Sequence, residues 1–362
     1  MADDRRWLLR ALRLASLALG TTAPNPGVGC VLVRRDLLLG EGHTSPARTQ
    51  PQIHAEASAI AQARAAGQNL RGATAYVTLA PCTARSAGGT SCTDLLVQAG
   101  ITRVVVAIDD PQQPQTADRF AAAGVTYEAN QLPELARQVH GGFLSRVTAK
   151  RPRFTGKWAM TLDGCLAAHT GKSSWISSPS ALALSRRRRR AFDAILIGGG
   201  TAHADDPQLL ASRIRGCAPR RIVITAAGTL PDESRLLQTL HQAPLLVVHR
   251  VGADTAALSA WGADLQALED PHDAVSLART LGGWGLNDVL VEGGAAIHGA
   301  FLRAGLYDRL EIYQGASTLG GGLPVARGAG APSIPDGQSW KLEEPPRALD
   351  STVLTRWMRT HS

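Results

Sequence analysis

Aromatic side chains are scarce in this sequence: seven Trp, four Tyr and five Phe make up 4% of 362 residues. A binder of single-stranded nucleic acid needs aromatic platforms on which bases stack, so the scarcity argues against that class. Cysteine is sparse too. The five, Cys30, Cys82, Cys92, Cys165 and Cys217, are odd in number and too few to staple a chain this long, which points to a reducing cytoplasm. No apolar run approaches the ~18 residues of a membrane span. The opening MADDRRWLLRALRLASLALG has the look of a signal peptide, but acidic residues precede its arginines, and Arg10 and Arg13 interrupt its apolar run. An amphipathic helix explains it better, with Leu8, Leu12, Ala15 and Leu19 on one face and Asp3 or Asp4 capping the start.

What remains is ordinary globular material. Hydrophobic residues at 44% and charged residues at 19% allow real cores, and the length suits two domains or three. Lys+Arg 38 against Asp+Glu 30 gives a net charge of +8. A field of that sign attracts phosphorylated substrates as readily as polynucleotides, so charge alone does not choose between them.

Along the chain, residues 29–33 (GCVLV), 73–79 (ATAYVTL) and 103–108 (RVVVAI) read as strands, and residues 54–66 and 93–100 as helices. The order α-β-β-α-β-α-β is an α/β layer architecture. Residues 149–154 (AKRPRF) read as a basic, proline-containing hinge, which divides the chain into 1–148 and 155–362. A second α/β series follows, with strands at 194–197, 221–224, 245–248, 289–291 and 310–313, and a long irregular segment over 315–337.

The first constellation points to a metal. His54-Ala55-Glu56 opens a helix, Pro81-Cys82 follows a strand, and Cys92 precedes another helix. An imidazole, two thiolates and a carboxylate held off the metal are the parts of a zinc nucleobase-deaminase site. Three protein ligands leave zinc a fourth position for water, whose pKa falls to roughly 7, and Glu56 is placed to shuttle protons. H-x-E alone favours a satisfied histidine among small core cysteines; joined to P-C, a second cysteine at a helix start and the intervening strand, it favours the metal. Nine residues separate Cys82 from Cys92, against two in the P-C-x-x-C of nucleoside deaminases.

These residues carry a resemblance. Thr22-Ala23-Pro24-Asn25-Pro26, Val28-Gly29-Cys30-Val31, the H-A-E, and Thr78-Leu79-Ala80-Pro81-Cys82 with its long spacer resemble the bifunctional deaminase/reductase family of riboflavin biosynthesis. The resemblance implies a cytidine-deaminase-like α/β/α domain, zinc on His54, Cys82 and Cys92, Glu56 as proton shuttle, and Asn25 at the pyrimidine. By itself Asn25 reads equally as a turn residue between two prolines. Departures fall in the loops. Ala80 stands where the family has Glu, the spacer has nine residues for eight, residues 42–54 run longer, and Asp110-Pro111-Gln112-Gln113-Pro114 lacks the following glycines. Either the pocket is rebuilt or deamination is weak.

The resemblance continues through Trp158-Ala159-Met160-Thr161-Leu162-Asp163-Gly164, Gly198-Gly199-Gly200-Thr201, Ala204-Asp205-Asp206-Pro207 and Val291-Glu292-Gly293-Gly294. It implies a dihydrofolate-reductase-like α/β domain that uses NADPH without a Rossmann fingerprint. Cofactor contacts are implied at Ala159, Trp175, Thr201, Asp205, Gly294, Ala295, Ala296, Ile297, His298, Gly299 and Ala300, and substrate contacts at Ser173, Arg189, Leu209 and Glu292. Ser212 stands where a second phosphate arginine belongs, so Arg213 is read as its displaced substitute. Glycine pairs and triplets are plain turn signals singly, yet two of them after apolar strands suit a pyrophosphate. Of the five arginines at 186–190, most are expected on a solvated face, because helical periodicity cannot aim all five at one ligand.

The expected activity is zinc-dependent deamination of a phosphoribosylated diaminopyrimidine, then reduction of its ribosyl group to ribityl with NADPH. A cytoplasmic homo-oligomer, dimer or tetramer, is expected, with no nucleic-acid or membrane partner. The alternatives are a paralogue making a flavin-like or pyrimidotriazine product, a reductase with weak deaminase activity and, from another class, an RNA-binding or nucleic-acid-editing protein.

Overall fold

The structure is a computed structural model that describes residues 2–85, 88–170, 176–212, 217–328, 330, 331, 333 and 336–360. It divides into two compact units, Met1–Lys150 and Arg151–Ser362.

The first unit runs α1 (Ala2–Leu17), β1 (Gly29–Arg34), β2 (Leu37–His43), α2 (Ala55–Ala65), β3 (Thr74–Val77), α3 (Cys92–Gln98), β4 (Arg103–Val106), α4 (Thr116–Ala122), β5 (Thr126–Glu128) and α5 (Pro133–Ala149). The strands form one sheet in the order β2-β1-β3-β4-β5. β1 is antiparallel to β2 and β3, and β3, β4 and β5 are parallel. Successive side chains on a strand point to opposite faces, and here both faces are covered. Cys30, Leu32, Ala75, Val77, Val104 and Val106 pack against α2, α3 and α4. Val31, Val33, Tyr76 and Val105 pack against α1 and α5. That explains why these strands read as unbroken apolar runs rather than alternating ones.

Asp4 corrects the reading of the N-terminal helix. The helix begins at Ala2, and Asp4 accepts from Arg103 Nη1 at 2.8 Å and from the Tyr76 hydroxyl at 2.7 Å, tying α1 to the sheet instead of capping it. Close packing of α1 on β1 depends on Gly29, where a Cβ would stand 2.0 Å from the carbonyl oxygen of Ala11. Gly29→Ala is therefore expected to destabilise the protein by about 1–3 kcal/mol, the usual cost of overpacking, seen as a lower urea midpoint at unchanged slope. An unmoved midpoint would mean that α1 yields freely.

The second unit runs β6 (Arg153–Met160), β7 (Cys165–Ala168), α6 (Pro179–Arg188), β8 (Ala194–Gly198), α7 (Gly199–Asp205), β9 (Arg220–Ile224), α8 (Arg235–Gln238), β10 (Leu245–Arg250), α9 (Ala256–Trp261), β11 (Asp264–Leu268), α10 (Ala274–Gly283), β12 (Asp288–Val291), α11 (Ala295–Arg303), β13 (Tyr307–Gly315), β14 (Gly322–Pro324), β15 (Trp340–Leu342), β16 (Arg347–Leu349) and β17 (Thr352–Arg359). Its main sheet has the order β11-β10-β9-β8-β12-β6-β13-β17-β15, with β16 also paired to β17. From β11 to β13 every neighbour is parallel. Leu196, Ile222, Leu246 and Val289 fill one face and Ile195, Val223, Leu245 and Leu290 the other. The chain passes from β6 to β8, steps outward to β11, then returns β12 between β8 and β6. Such a reversal opens a crevice at the carboxyl ends of the strands.

The segment 149–154, expected as a hinge, consists mostly of element ends. Helix α5 reaches Ala149, Lys150 follows with φ 57°, and β6 starts at Arg153. Arg151 holds Asp308 with two bonds of 2.8 Å, and Arg153 pairs with Asp288. The irregular segment 315–337 also contains a strand, β14, paired with β7. Among the described residues no helix is long and apolar enough to cross a membrane.

Candidate active site

In the first unit His54 is the N-cap of α2, yet its side chain makes no capping bond. Ser, Thr, Asp or Asn usually fill that position. The imidazole turns instead toward two sulfurs, with Nδ1 3.2 Å from Cys92 Sγ and 3.7 Å from Cys82 Sγ. The three donor atoms lie within 4.8 Å of one another. Zinc–sulfur and zinc–nitrogen bonds of about 2.3 and 2.0 Å at tetrahedral angles put such donors roughly 3.5–3.8 Å apart. The residues present therefore fit zinc.

The elements around the trio are locked. Gly40 and Gly42 of β2 let α2 lie directly on the sheet, since a Cβ on either would meet helix atoms at 2.5 and 2.6 Å. Ser91 caps α3 by accepting from the Asp94 N–H at 3.1 Å, which sets Cys92 at the first helical position. The Cys92 N–H donates to Cys82 Sγ at 3.4 Å, while the Thr93 hydroxyl and N–H donate to the Cys82 carbonyl at 2.9 and 3.1 Å. The long spacer thus returns its second cysteine to the first.

Electrostatics follow from burial and these bonds. A hydrogen bond from the Cys92 thiol, against the opposing cost of burial, and a further bond from His54 hold the Cys82 thiol down to about 4. The shared bond with Cys82 pushes the Cys92 thiol up. Glu56, only 3% exposed, is raised by burial and by the nearby Cys82 charge. Asn25 Nδ2 donates to Gln52 Oε1 at 2.6 Å, and Arg85 donates to the Gln52 carbonyl at 2.8 Å. Gln113 accepts from both the N–H and the hydroxyl of Thr83 at 2.9 Å. Gln52 and Gln113 carried no sequence signal beyond their place in loops that depart from the family pattern.

In the second unit a cavity of about 800 Å³ occupies the crevice at the carboxyl ends of β6, β8 and β12. Ala159, Arg189, Thr201, Asp205, Leu209 and Glu292 all line it, six of the positions expected at the reductase. At its centre Glu292 accepts from Arg189 Nε and Nη2, both at 2.8 Å, with Lys157 Nζ 3.7 Å away. Burial alone would raise this carboxyl, but Arg189 and Lys157 hold it down to about 2. Lys157 stands out in no sequence motif; its signal is that it shares a strand face with Ala159.

Along the expected cofactor run on α11 the side chains divide between open and buried. Gly294 caps the helix, and a Cβ there would stand 3.4 Å from the Thr201 hydroxyl. Ala295 and Ala296 are at least partly open. Ile297 and Ala300, however, pack on the hydrophobic core, His298 is buried with Nδ1 2.6 Å from the Tyr307 hydroxyl, and Gly299 lies against Arg327. One helix cannot turn seven consecutive side chains to one ligand, and residues 297–299 of the run are the buried ones. Ser173, Trp175 and Arg213 lie outside the described residues. The arginine run splits: Arg186, Arg187 and Arg190 are exposed, whereas Arg188 holds Glu311 and Arg189 holds Glu292.

Comparison with known proteins matches both units. A family model described as the cytidine and deoxycytidylate deaminase zinc-binding region covers residues 1–108, and one described as the RibD C-terminal domain covers residues 152–344. The chain is 33% identical to riboflavin biosynthesis protein RibD of Aquifex aeolicus over 328 residues, 89% of each chain. It is likewise 33% identical to RibD of Escherichia coli K12, over 94% of this chain and 96% of that one. A diaminohydroxyphosphoribosylaminopyrimidine deaminase/5-amino-6-(5-phosphoribosylamino)uracil reductase from Thermotoga maritima superposes with a TM-score of 0.87 at 28% identity, and Acinetobacter baumannii RibD with 0.87 at 30%, each over 99% of both chains.

Proposed function

Since the chain belongs to the RibD family of riboflavin biosynthesis, in which a deaminase is joined to a reductase, we propose that it deaminates 2,5-diamino-6-(5-phosphoribosylamino)pyrimidin-4(3H)-one and then reduces the ribosyl group of the product to ribityl. The observation that carries this reading is the meeting of His54, Cys82 and Cys92 around one point beside the buried Glu56. Zinc held there supplies a Lewis acid and brings the pKa of a bound water to roughly 7. Glu56 takes the proton of the attacking water, delivers it to the ring nitrogen, and carries a proton to the departing amine, so that water enters and ammonia leaves. Asn25, oriented by Gln52, holds the pyrimidine edge.

NADPH supplies the hydride of the second reaction, and the protein's share is position. Ala159, Thr201 and Asp205 line the cofactor side of the cavity, and the first turn of α11, Gly294 to Ala296, offers N–H groups to its phosphates. Leu209, Arg189 and Glu292 hold the substrate, with the Arg189 guanidinium suited to its phosphate. We place the enzyme in the cytoplasm, as a homo-oligomer. The loops around Thr83 and Gln113 favour a second reading, an altered pyrimidine taken by a paralogue of a secondary pathway.

The test incubates the full chain with the diaminopyrimidine phosphate, with and without NADPH, and identifies products by mass. Ammonia without NADPH, and a ribityl product only with it, are expected. NADPH consumption without ammonia release would overturn the reading of the first site.

A further inference from the structure

The strap that follows α7 is held in a conformation its residues do not favour. Pro207, Gln208, Leu209 and Leu210 line the reductase cavity. Asp206 and Leu209 have left-handed backbone, with φ 35° and 53°, a region that a side chain disfavours. Three bonds fasten the strap. The Asp206 carboxylate accepts from the Arg235 N–H at 2.8 Å, the Leu210 carbonyl from Arg189 Nη1 at 3.1 Å, and the Gln208 carbonyl from Arg221 Nη1 at 3.3 Å. Arg235 and Arg189 line the cavity themselves. Arg221 is different: it is wholly buried on β9, on the strand face of Val223, where Leu209, Leu236 and Leu237 also pack. Nη1 donates in addition to the Thr239 hydroxyl at 2.7 Å, and Nη2 to the carbonyls of Thr239, at 3.2 Å, and of Ala243. Burial, with no opposing charge against it, draws this guanidinium down to about 10.

We infer that Arg221 is a positioning residue for the reductase: its guanidinium, anchored on Thr239 and Ala243, sets the strap from Gln208 to Leu210 in the shape that receives the substrate. A buried charge is costly without a partner of opposite sign, and an apolar side chain of similar length would suit the leucines around it. What the guanidinium adds is a planar fork that grips carbonyls of separate segments at once. Of the residues it grips, Gln208 alone lines the cavity. Leu209, next in the chain, belongs both to the core and to the cavity wall. With the Gln208 bond gone, its backbone can leave the left-handed region, and the wall it gives the substrate changes shape. The inference rests on the reductase reading above.

The experiment measures kcat and KM of the full chain for 5-amino-6-(5-phosphoribosylamino)uracil with NADPH, per folded molecule and well below the melting midpoint, which is recorded alongside. Arg221→Met is expected to raise KM for the sugar substrate roughly 10-fold, the worth of one lost bond to a charged group, with kcat nearly unchanged. Ammonia release by the first unit should stay parental in the same variant. Thr239→Val removes an anchor of the guanidinium but leaves the Gln208 bond, so it should lower the midpoint and leave KM near the parental value. Arg221→Lys keeps the charge without the fork; it should raise KM too, and it takes the place of Arg221→Met if that variant does not fold. A parental KM in the folded Arg221 variant, whatever its midpoint, would leave Arg221 a role in stability only and overturn the assignment. So would an equal rise of KM in Thr239→Val. If the parent chain does not reduce the compound at all, it is the reductase reading that fails, a result distinct from any of these.

Discussion

Serine in place of Cys92 is expected to leave the protein with a small fraction of its zinc, and deamination should fall with the metal. The thiolate is removed while almost everything that positions it stays. The Cys92 backbone N–H would still donate to Cys82 Sγ, and Thr93 would still hold the Cys82 carbonyl, so the loss belongs to the donor atom. A neutral hydroxyl is a poor ligand where a thiolate was. Loss of an outer-shell partner typically costs about 10–100-fold in metal affinity, and loss of a direct ligand should exceed that. Metal analysis after dialysis against a chelator measures the effect. NADPH oxidation with the deaminated substrate, measured on the same preparation, reports whether the second unit is intact. Full zinc occupancy in the variant would remove Cys92 from the ligand set and with it the argument for the long spacer.

Glu56→Gln should behave in the opposite way, with zinc retained and deamination down by ~10²–10⁴-fold, the usual worth of general acid–base transfer. The amide has nearly the same shape as the carboxyl and fits the same buried place, but it cannot take up a proton and give it back. Because Glu56 bonds the Cys92 side chain and feels the Cys82 charge, zinc content must be measured alongside the rate. A zinc-loaded variant with parental activity would assign the shuttle elsewhere. Asp110 would then be the first candidate, since it is buried, raised by that burial and close enough to feel the Cys82 charge.

The chemistry of the first unit was legible because its parts are rare residues at element ends: an imidazole opening one helix, a thiol after a strand and a thiol opening another helix. The central strands were legible because a sheet covered on both faces needs apolar residues at every position. Residues 116–149 were not, although they form α4, β5 and α5. β5 is a three-residue edge strand with little burial, too short to show a period. β11 was missed for a related reason, since an edge strand mixing Asp264 and Gln266 with Leu265 and Leu268 lacks the apolar run of its neighbours. On α11 the limit is different. A linear stretch of matching residues does not show which side chains face out, and the helix turns Ile297 and His298 inward. For the five arginines the periodicity argument held in kind, yet it gave no hint that Arg188 would reach Glu311 on β13.

The contacts that join Cys82 directly to Cys92 and Thr93 bypass the nine residues between the two thiols. The cost of closing a flexible loop grows by only ~0.6 kcal/mol for each doubling of its length, so the placement of the three donor atoms is nearly indifferent to what is threaded between those anchors. The spacer therefore behaves as an exchangeable cassette. Its length and composition can change while those anchors keep the two sulfurs together.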